Sequence, residues 1–248
     1  MIDRILAPFR EFGPGAGALY LADRVLSALS PSTRVFVYEF MVQPITDEPV
    51  PQVRAPQAFE TREIGSGDAE RAAMPPSADI IDSRFAQGAI CLGTFKQDRF
   101  VGYIWIRYGS HDEDEVRCRY VLEPAAESAF DFDLYIFPEH RLGLAFVAIW
   151  QNAIAALRSR GIRYSYSRLT RFNLASRRAH AHFGWRCVGR ALFLKLWRLE
   201  LMVGTVVPYA YLSFGGQGPK LQLRPDALDR SPSGLTEKSA NGQTARDS

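Results

Sequence analysis

The chain has 248 residues, 47% hydrophobic and 23% charged, which suits one domain with additions at its ends and an ample buried core. Its net charge is +3, from 30 Lys+Arg against 27 Asp+Glu. That near balance argues against broad nucleic-acid binding, which needs a concentrated basic surface, but leaves room for one basic pocket around a compact polyanion.

The N-terminal stretch opens with glycine and proline. Ala18, Leu19, Ala22, Val25, Leu26 and Leu29 then recur at helical spacing until Ser30-Pro31. Residues 34–42, RVFVYEFMV, are rich in β-branched and aromatic side chains and predict a strand. Pro44, Pro49, Pro51 and Pro56 make the next stretch a linker, so residues 1–57 form an N-terminal helix–strand extension. It is expected to pack on a sheet edge, cover a pocket or make a dimer contact, and a homodimer stays open.

Order signals are densest from residue 58. FETREI alternates as a strand, GSGDAERAA follows as a short helix with Ser66 as its cap, and residues 78–85 predict a second short helix. AICLGTF and RFVGYIWIRY are paired strands joined at KQD. The acidic run His111 to Glu115 reads as a solvated loop in preference to a metal site. VRCRYVL and AFDFDLYIF are further strands, the second stopped by Pro138. Residues 144–158 make the best helix, closed by Gly161; IRYSYSRL is a strand, ASRRAHAHF a helix ended by Gly184, and residues 185–201 one or two closing strands. Trp105, Tyr103 and Trp150 are expected in the core. Beyond Phe214 no aromatic residue occurs, and residues 215–248 are expected to be disordered.

Cys91, Cys118 and Cys187 are odd in number and lack metal-ligand spacing, so they read as reduced thiols. No secretory leader pattern is visible. The apolar stretch 192–214 is broken by Lys195, Arg198, Glu200 and Pro208, which makes it a poor membrane span. A cytoplasmic location is the expectation.

One junction points to chemistry. The strand DFDLYIF runs into PEHRLGLA, and a long apolar helix starts at once. A tight turn at a helix N-terminus offers free backbone N–H groups and the positive end of the helix dipole. Gly143 and Ala145 allow close approach of an anion, and Arg141 adds charge. Taken alone, such a turn is also an ordinary connection. A second element follows: Asn173 stands just before a helix, placed to cap it or to bond a ligand amide, and Gly184-Trp185 close that helix.

Together these residues resemble the GNAT N-acetyltransferase superfamily over about residues 58–200. Pro138 to Ala145 is similar to its pyrophosphate loop, Q/R-x-x-G-x-G/A, with Gly143 and Ala145 at the last two positions. His140 falls where the family has Gln or Arg, and a one-residue shift would put Arg141 there instead. Asn173, Ser176, Ala179, His180, His182, Gly184 and Trp185 follow the spacing of its later helix motif. The segments SRLTRFN and AHAHFGW look most like acyltransferases of polysaccharide-biosynthesis clusters.

The resemblance implies a mixed α/β fold, with a mostly antiparallel sheet flanked by helices, over residues 58–214. It implies acetyl transfer from acetyl-CoA, as co-substrate, to an amine of an amino sugar or small metabolite by direct attack, without a metal. Residues Ile136, Phe137, His140, Arg141, Leu142, Gly143, Leu144, Ala145, Asn173 and Ser176 would hold the CoA moiety. A backbone N–H near Tyr135 to Phe137 would polarise the thioester carbonyl. His180 stands at the position of the family's general-acid tyrosine, where it would protonate the thiolate if charged or relay the amine proton if neutral. His182, two residues on, faces elsewhere and reads as structural. Asp131 and Asp133 alternate on one strand face with Tyr135. Asp133 is the preferred acidic partner of the amine, against an ion pair with Arg117, Arg119 or Arg163. The other readings are a transferase of longer acyl or aminoacyl groups, and a CoA-binding or protein-interaction domain without catalysis. Acceptor-pocket walls are expected near residues 66–88, 109–128 and 202–215.

Overall fold

The computed structural model describes residues 2–45, 58–141 and 144–225. Helices α1 (Ile2–Phe12) and α2 (Pro14–Leu29) lead into strand β1 (Thr33–Pro44). Then come β2 (Glu60–Ile64), α3 (Ala78–Ala86), β3 (Ile90–Lys96), β4 (Arg99–Tyr108), β5 (Ser110–Asp112), β6 (Arg119–Leu122) and β7 (Ser128–Ile136). Helix α4 (Ala145–Ser159), β8 (Tyr164–Thr170), α5 (Leu174–His182), β9 (Arg186–Leu196), β10 (Leu199–Gly204), β11 (Ala210–Phe214) and β12 (Lys220–Leu223) complete the chain.

The protein is a mixed α/β fold built on a nine-stranded, mostly antiparallel sheet flanked by helices, in the order β11-β10-β9-β1-β8-β7-β4-β3-β2. Within this sheet only β7 and β8 pair in parallel. Parallel neighbours need a crossover, and α4 supplies it. Ala145, Ala148, Ile149, Ala153, Ile154 and Leu157 recur at helical spacing and are buried, packing on Leu92, Ile104 and Ile106 of the sheet. A small second sheet, β12-β6-β5, packs Tyr120, Leu221 and Leu223 against Tyr38, Phe40, Phe193 and Met202 on one face of the large one.

Two boundaries drawn on the sequence move. The strand expected in a separate N-terminal extension lies inside the sheet, hydrogen-bonded to β8 on one side and β9 on the other. A boundary at residue 57 therefore does not part the sheet from what precedes it. Tyr38, Phe40 and Val42 are fully buried, so β1 carries core, which local composition does not reveal. Similarly, the tail expected to be disordered from residue 215 contains β12, whose Leu221 and Leu223 are fully buried. Four residues suffice because β6 offers a ready-made edge; the rest of that expectation, residues 226–248, lies outside the described residues.

Helix α1 has no counterpart among the elements expected from the sequence. Ser66 does not cap a helix: the short turn is a 3-10 helix, Ala69–Ala73, preceded by Asp68, whose carboxylate accepts from Gly65 N–H at 3.0 Å. Gln97 and Asp98 both take positive φ in the two-residue turn between β3 and β4. Gly161 and Gly184 sit at φ 72° and 78° just after α4 and α5, as helix-terminating glycines do. Trp105, Tyr103 and Trp150 are all buried. Cys91 and Cys118 are buried and Cys187 is exposed, all as free thiols. Among the described residues, no helix is long and apolar enough to cross a membrane.

Candidate active site

The site begins with a defect in β7. Strands β4 and β7 are in register from Tyr108/Ala129 to Trp105/Phe132; pairing then resumes one residue out of step at Tyr103/Tyr135. The extra residue falls in the Asp133–Leu134 segment, and Asp133 takes φ 47°, a left-handed conformation that aspartate tolerates better than most residues. Gly102 permits this on the facing strand: a Cβ there would lie 2.5 Å from the Tyr135 carbonyl oxygen. The alternation expected to put Asp131, Asp133 and Tyr135 on one face therefore fails at the bulge.

On its other side β7 pairs with β8 only from Ser128/Tyr164 to Asp131/Ser167. Beyond that point the two strands run on, to Ile136 and Thr170, without pairing to each other. They part around a cleft of about 540 Å³ lined by residues of both strands, of α3, of the β5–β6 region and of α5.

Asp131, Asp133, Asn173, Ser176 and His180 all line this one cleft, so the structure brings the three candidate catalytic residues together with two of the candidate CoA-binding ones. Asp131 is 3% exposed and accepts a hydrogen bond from Ser165 Oγ at 2.7 Å. Burial raises its pKa from 3.8 to about 7, against the opposing pull of the hydroxyls of Ser165 and Ser167. Asp133 pairs with Arg84, Nη1 to Oδ2 at 2.5 Å, and with none of Arg117, Arg119 and Arg163. Those three hold Glu200, Asp112 and Glu127 instead.

His180 is buried against Trp185, and its Nδ1 lies 2.7 Å from the Ser176 carbonyl oxygen. A carbonyl can only accept, so Nδ1 carries a proton, and in the neutral ring Nε2 is left with the lone pair. Burial lowers the His180 pKa, with the Ser176 carbonyl pulling the other way. Asn173 caps α5, its Oδ1 accepting from Ser176 N–H at 3.0 Å. Helix α5 is held to β1 by Glu39, a buried carboxylate 2.7 Å from both Arg171 Nη1 and Arg177 Nε.

The expected anion turn lies at the other end of β7. Pro138 to His140 form a 3-10 turn, and Arg141 folds back so that its Nε donates to the Ile136 carbonyl at 3.0 Å with its guanidinium over the Tyr135 ring. Helix α4 starts at Ala145 with Leu144 at its cap position and no side chain capping it, so its first-turn N–H groups have no side-chain partner from the cap. Leu142 and Gly143 lie outside the described residues, and so does the His182 side chain.

Several cleft residues carry no signal in the sequence. Arg84 is 7% exposed and bridges Asp133 to Asp114, Nη2 to Oδ2 at 3.0 Å. The acidic run 111–115 is solvated only in part: Asp114 and Glu115 are exposed, while His111 and the Glu113 side chain are buried. The His111 ring is buried 4.8 Å from Phe130 and 4.3 Å from Phe132, and burial pushes its pKa down to about 4. Glu113 accepts from Tyr120 Oη at 2.8 Å and pairs with Arg168 at 2.8 Å; Glu115 does the same with Tyr38 and Arg168, also at 2.8 Å. The run looks solvated in sequence because two of its cationic partners, Arg84 and Arg168, are 30 and 55 residues away from the carboxylates they meet. Of the three expected pocket walls, the first two contribute to the cleft and residues 202–215 do not. Among the described residues no group of three or more His, Cys, Asp or Glu side chains is arranged to hold a metal ion.

No family model matches the chain, and no curated protein matches it. Solved structures do. It is similar to a GNAT-family protein from Novosphingobium aromaticivorans, at 18% identity over 63% of each chain with a TM-score of 0.41. It is similar to a GCN5-related N-acetyltransferase from Sphaerobacter thermophilus, at 15% identity over 70% of this chain and 54% of that one, with a TM-score of 0.43. A third, a GCN5-related N-acetyltransferase from Ralstonia eutropha, matches at 17% identity over 52% of this chain and 92% of that one, with a TM-score of 0.36. The match spans less than two thirds of the length of the first two proteins. Identities this low speak to no residue's role; the likeness is a partial one, of fold, to GNAT-family N-acetyltransferases.

Proposed function

We propose that the chain is an acyl-CoA-dependent N-acyltransferase, moving an acetyl group from acetyl-CoA to an amine of an amino sugar or another small metabolite. The observation that carries this reading is the parting of β7 and β8 beyond Asp131/Ser167, beside the polar residues Asn173, Ser176 and His180 of the α5 segment, with β7 running on towards the uncapped start of α4. An extended, amide-bearing pantetheine arm suits such a gap, because strand edges that do not bond each other can bond it. A pyrophosphate suits the first turn of α4, where backbone N–H groups and Arg141 favour an anion. The backbone of Ile136, Phe137, His140, Leu144 and Ala145, together with Leu142 and Gly143, is the proposed CoA-binding segment; Ser176 joins Asn173 at the pantetheine end.

The chemistry needs a group that takes a proton from an ammonium and one that returns a proton to a thiolate. His180, neutral with an unprotonated Nε2, fits the first role. Of the two roles open to it on the sequence, the lowered pKa favours relay of the amine proton by the neutral ring over protonation of the thiolate. Asp131, whose pKa burial raises to about 7, can give or take a proton in this pH range. Asp133, preferred on sequence, is tied to Arg84 and better suited to orienting the cleft wall.

Release of thiol from acetyl-CoA over a panel of amines and amino sugars, beside calorimetric titration with CoA, tests the reading. Binding with amine-dependent turnover supports it. Binding without turnover on any amine supports the non-catalytic reading instead, and no binding of any acyl-CoA overturns both.

A further inference from the structure

Strands β9, β10 and β11 present one apolar face that is half-buried at β9 and open to solvent towards the sheet edge. Register places Leu192, Leu194 and Leu196 of β9 beside Val203, Leu201 and Leu199 of β10, which lie beside Ala210, Leu212 and Phe214 of β11. None of these nine side chains is polar. On the same face of the neighbouring strand β1, Val35 and Val37 are buried, and α2 packs against β1 there. Towards the sheet edge the cover stops: Leu201 is 37% exposed, Leu212 64% and Phe214 72%. The apolar surface continues around the β9–β10 turn, where Trp197 is 72% exposed and its backbone N–H donates to the Ser32 carbonyl, and onto the end of α2, where Leu29 is 78% exposed. Single exposed apolar residues need no explanation, whereas a contiguous patch of this kind marks an interaction surface.

The chain's own undescribed segments are poor covers. Residues 226–248 contain two leucines and no aromatic side chain, and residues 46–57 are charged and proline-rich. Strand β12, from which the C-terminal segment departs, packs with Phe193 and Met202, on the opposite face of the sheet. The exposed parts of Leu29, Val25, Trp197, Leu201, Val203, Leu212 and Phe214 amount to roughly 600–850 Å², taking Trp and Phe at about 150–250 Å² and the aliphatic side chains as somewhat smaller. A standard interface takes about 800 Å² from each partner.

We propose that this face is where two copies of the chain pack, sheet against sheet, about a two-fold axis. The nine side chains that would meet across the axis are apolar; the Arg198 guanidinium, 5.6 Å from the Phe214 ring centroid, belongs to the exposed β9–β10 turn at the end of these strands. Sheets packed face to face interdigitate their side chains at about 10 Å separation, which places Leu201, Leu212 and Phe214 of one copy among those of the other. None of these residues lines the catalytic cleft, so association leaves the site open.

Sedimentation velocity on the full chain between about 1 and 100 µM, with Leu212→Glu and Leu201→Glu variants, tests the proposal; both positions are exposed, and circular dichroism checks that the variants fold. The expected result is a wild-type dimer whose dissociation constant rises about 30-fold or more in each variant. A wild-type chain that stays monomeric at the highest concentration overturns the proposal, as does a dimer that neither variant weakens. A monomer that instead co-sediments with phosphatidylcholine vesicles, and loses this in Leu212→Glu, assigns the face to a lipid surface and also overturns it.

Discussion

Replacing Asp131 by Asn probes the best-defined titration in the cleft. In the folded protein burial raises the Asp131 pKa from 3.8 to about 7. Folding therefore takes up a proton between those values, and the stability that comes with the neutral carboxyl is complete below about pH 4 and lost as the pH rises through about 7. At about 1.4 kcal/mol per pKa unit, ionised Asp131 costs the folded state on the order of 4 kcal/mol well above pH 7, and about 2 kcal/mol at pH 5.5. Asn has a similar shape, can accept from Ser165 Oγ through its own carbonyl, and does not ionise. Urea unfolding of both proteins at pH 5.5 and pH 8 reads the difference. The stability of the Asn variant relative to wild type should improve by about 2 kcal/mol between the two conditions. A relative stability unchanged with pH, within about 0.5 kcal/mol, would falsify the raised pKa and with it the proton-carrying role proposed for Asp131.

His180→Ala should lower turnover by about 10²-fold while leaving CoA affinity within a few-fold, since general-base groups contribute at that scale; a variant with full turnover removes His180 from the chemistry. Leu223→Ala should cost about 2–5 kcal/mol in urea unfolding, because the side chain is fully buried between the two sheets. A cost near zero would return residues 215–225 to the status of a tail.

Much of the local structure was legible in the sequence because its causes are local. The period of α4 appears in Ala145, Ala148, Ile149, Ala153 and Leu157; the ends of α4 and α5 appear in Gly161 and Gly184; the turn between β3 and β4 appears in Gln97-Asp98. The strand–turn–helix at Pro138 and the Asn173 cap were likewise readable, and so was the nomination of Asp131, Asp133 and His180, which stand on two short segments, whereas Arg84, His111 and Arg168 in the same cleft gave no such signal.

What tertiary structure decided is everything that depends on partners remote in the chain. Strand β1 is central because β8 and β9, more than a hundred residues later, leave a gap that a strongly apolar strand fills. The run 111–115 is a cleft wall because Arg84 and Arg168 meet its carboxylates, and Asp133 is a partner of Arg84 for the same reason. The ranking of Asp131 over Asp133 follows from a bulge that Gly102 allows and from burial, neither of which strand alternation can foresee. Composition and periodicity determined most of the elements that form, though not α1 or β12. Pairing between distant strands decided the charge states the cleft side chains keep, because desolvation and ion pairing are properties of the assembled cleft and not of any segment.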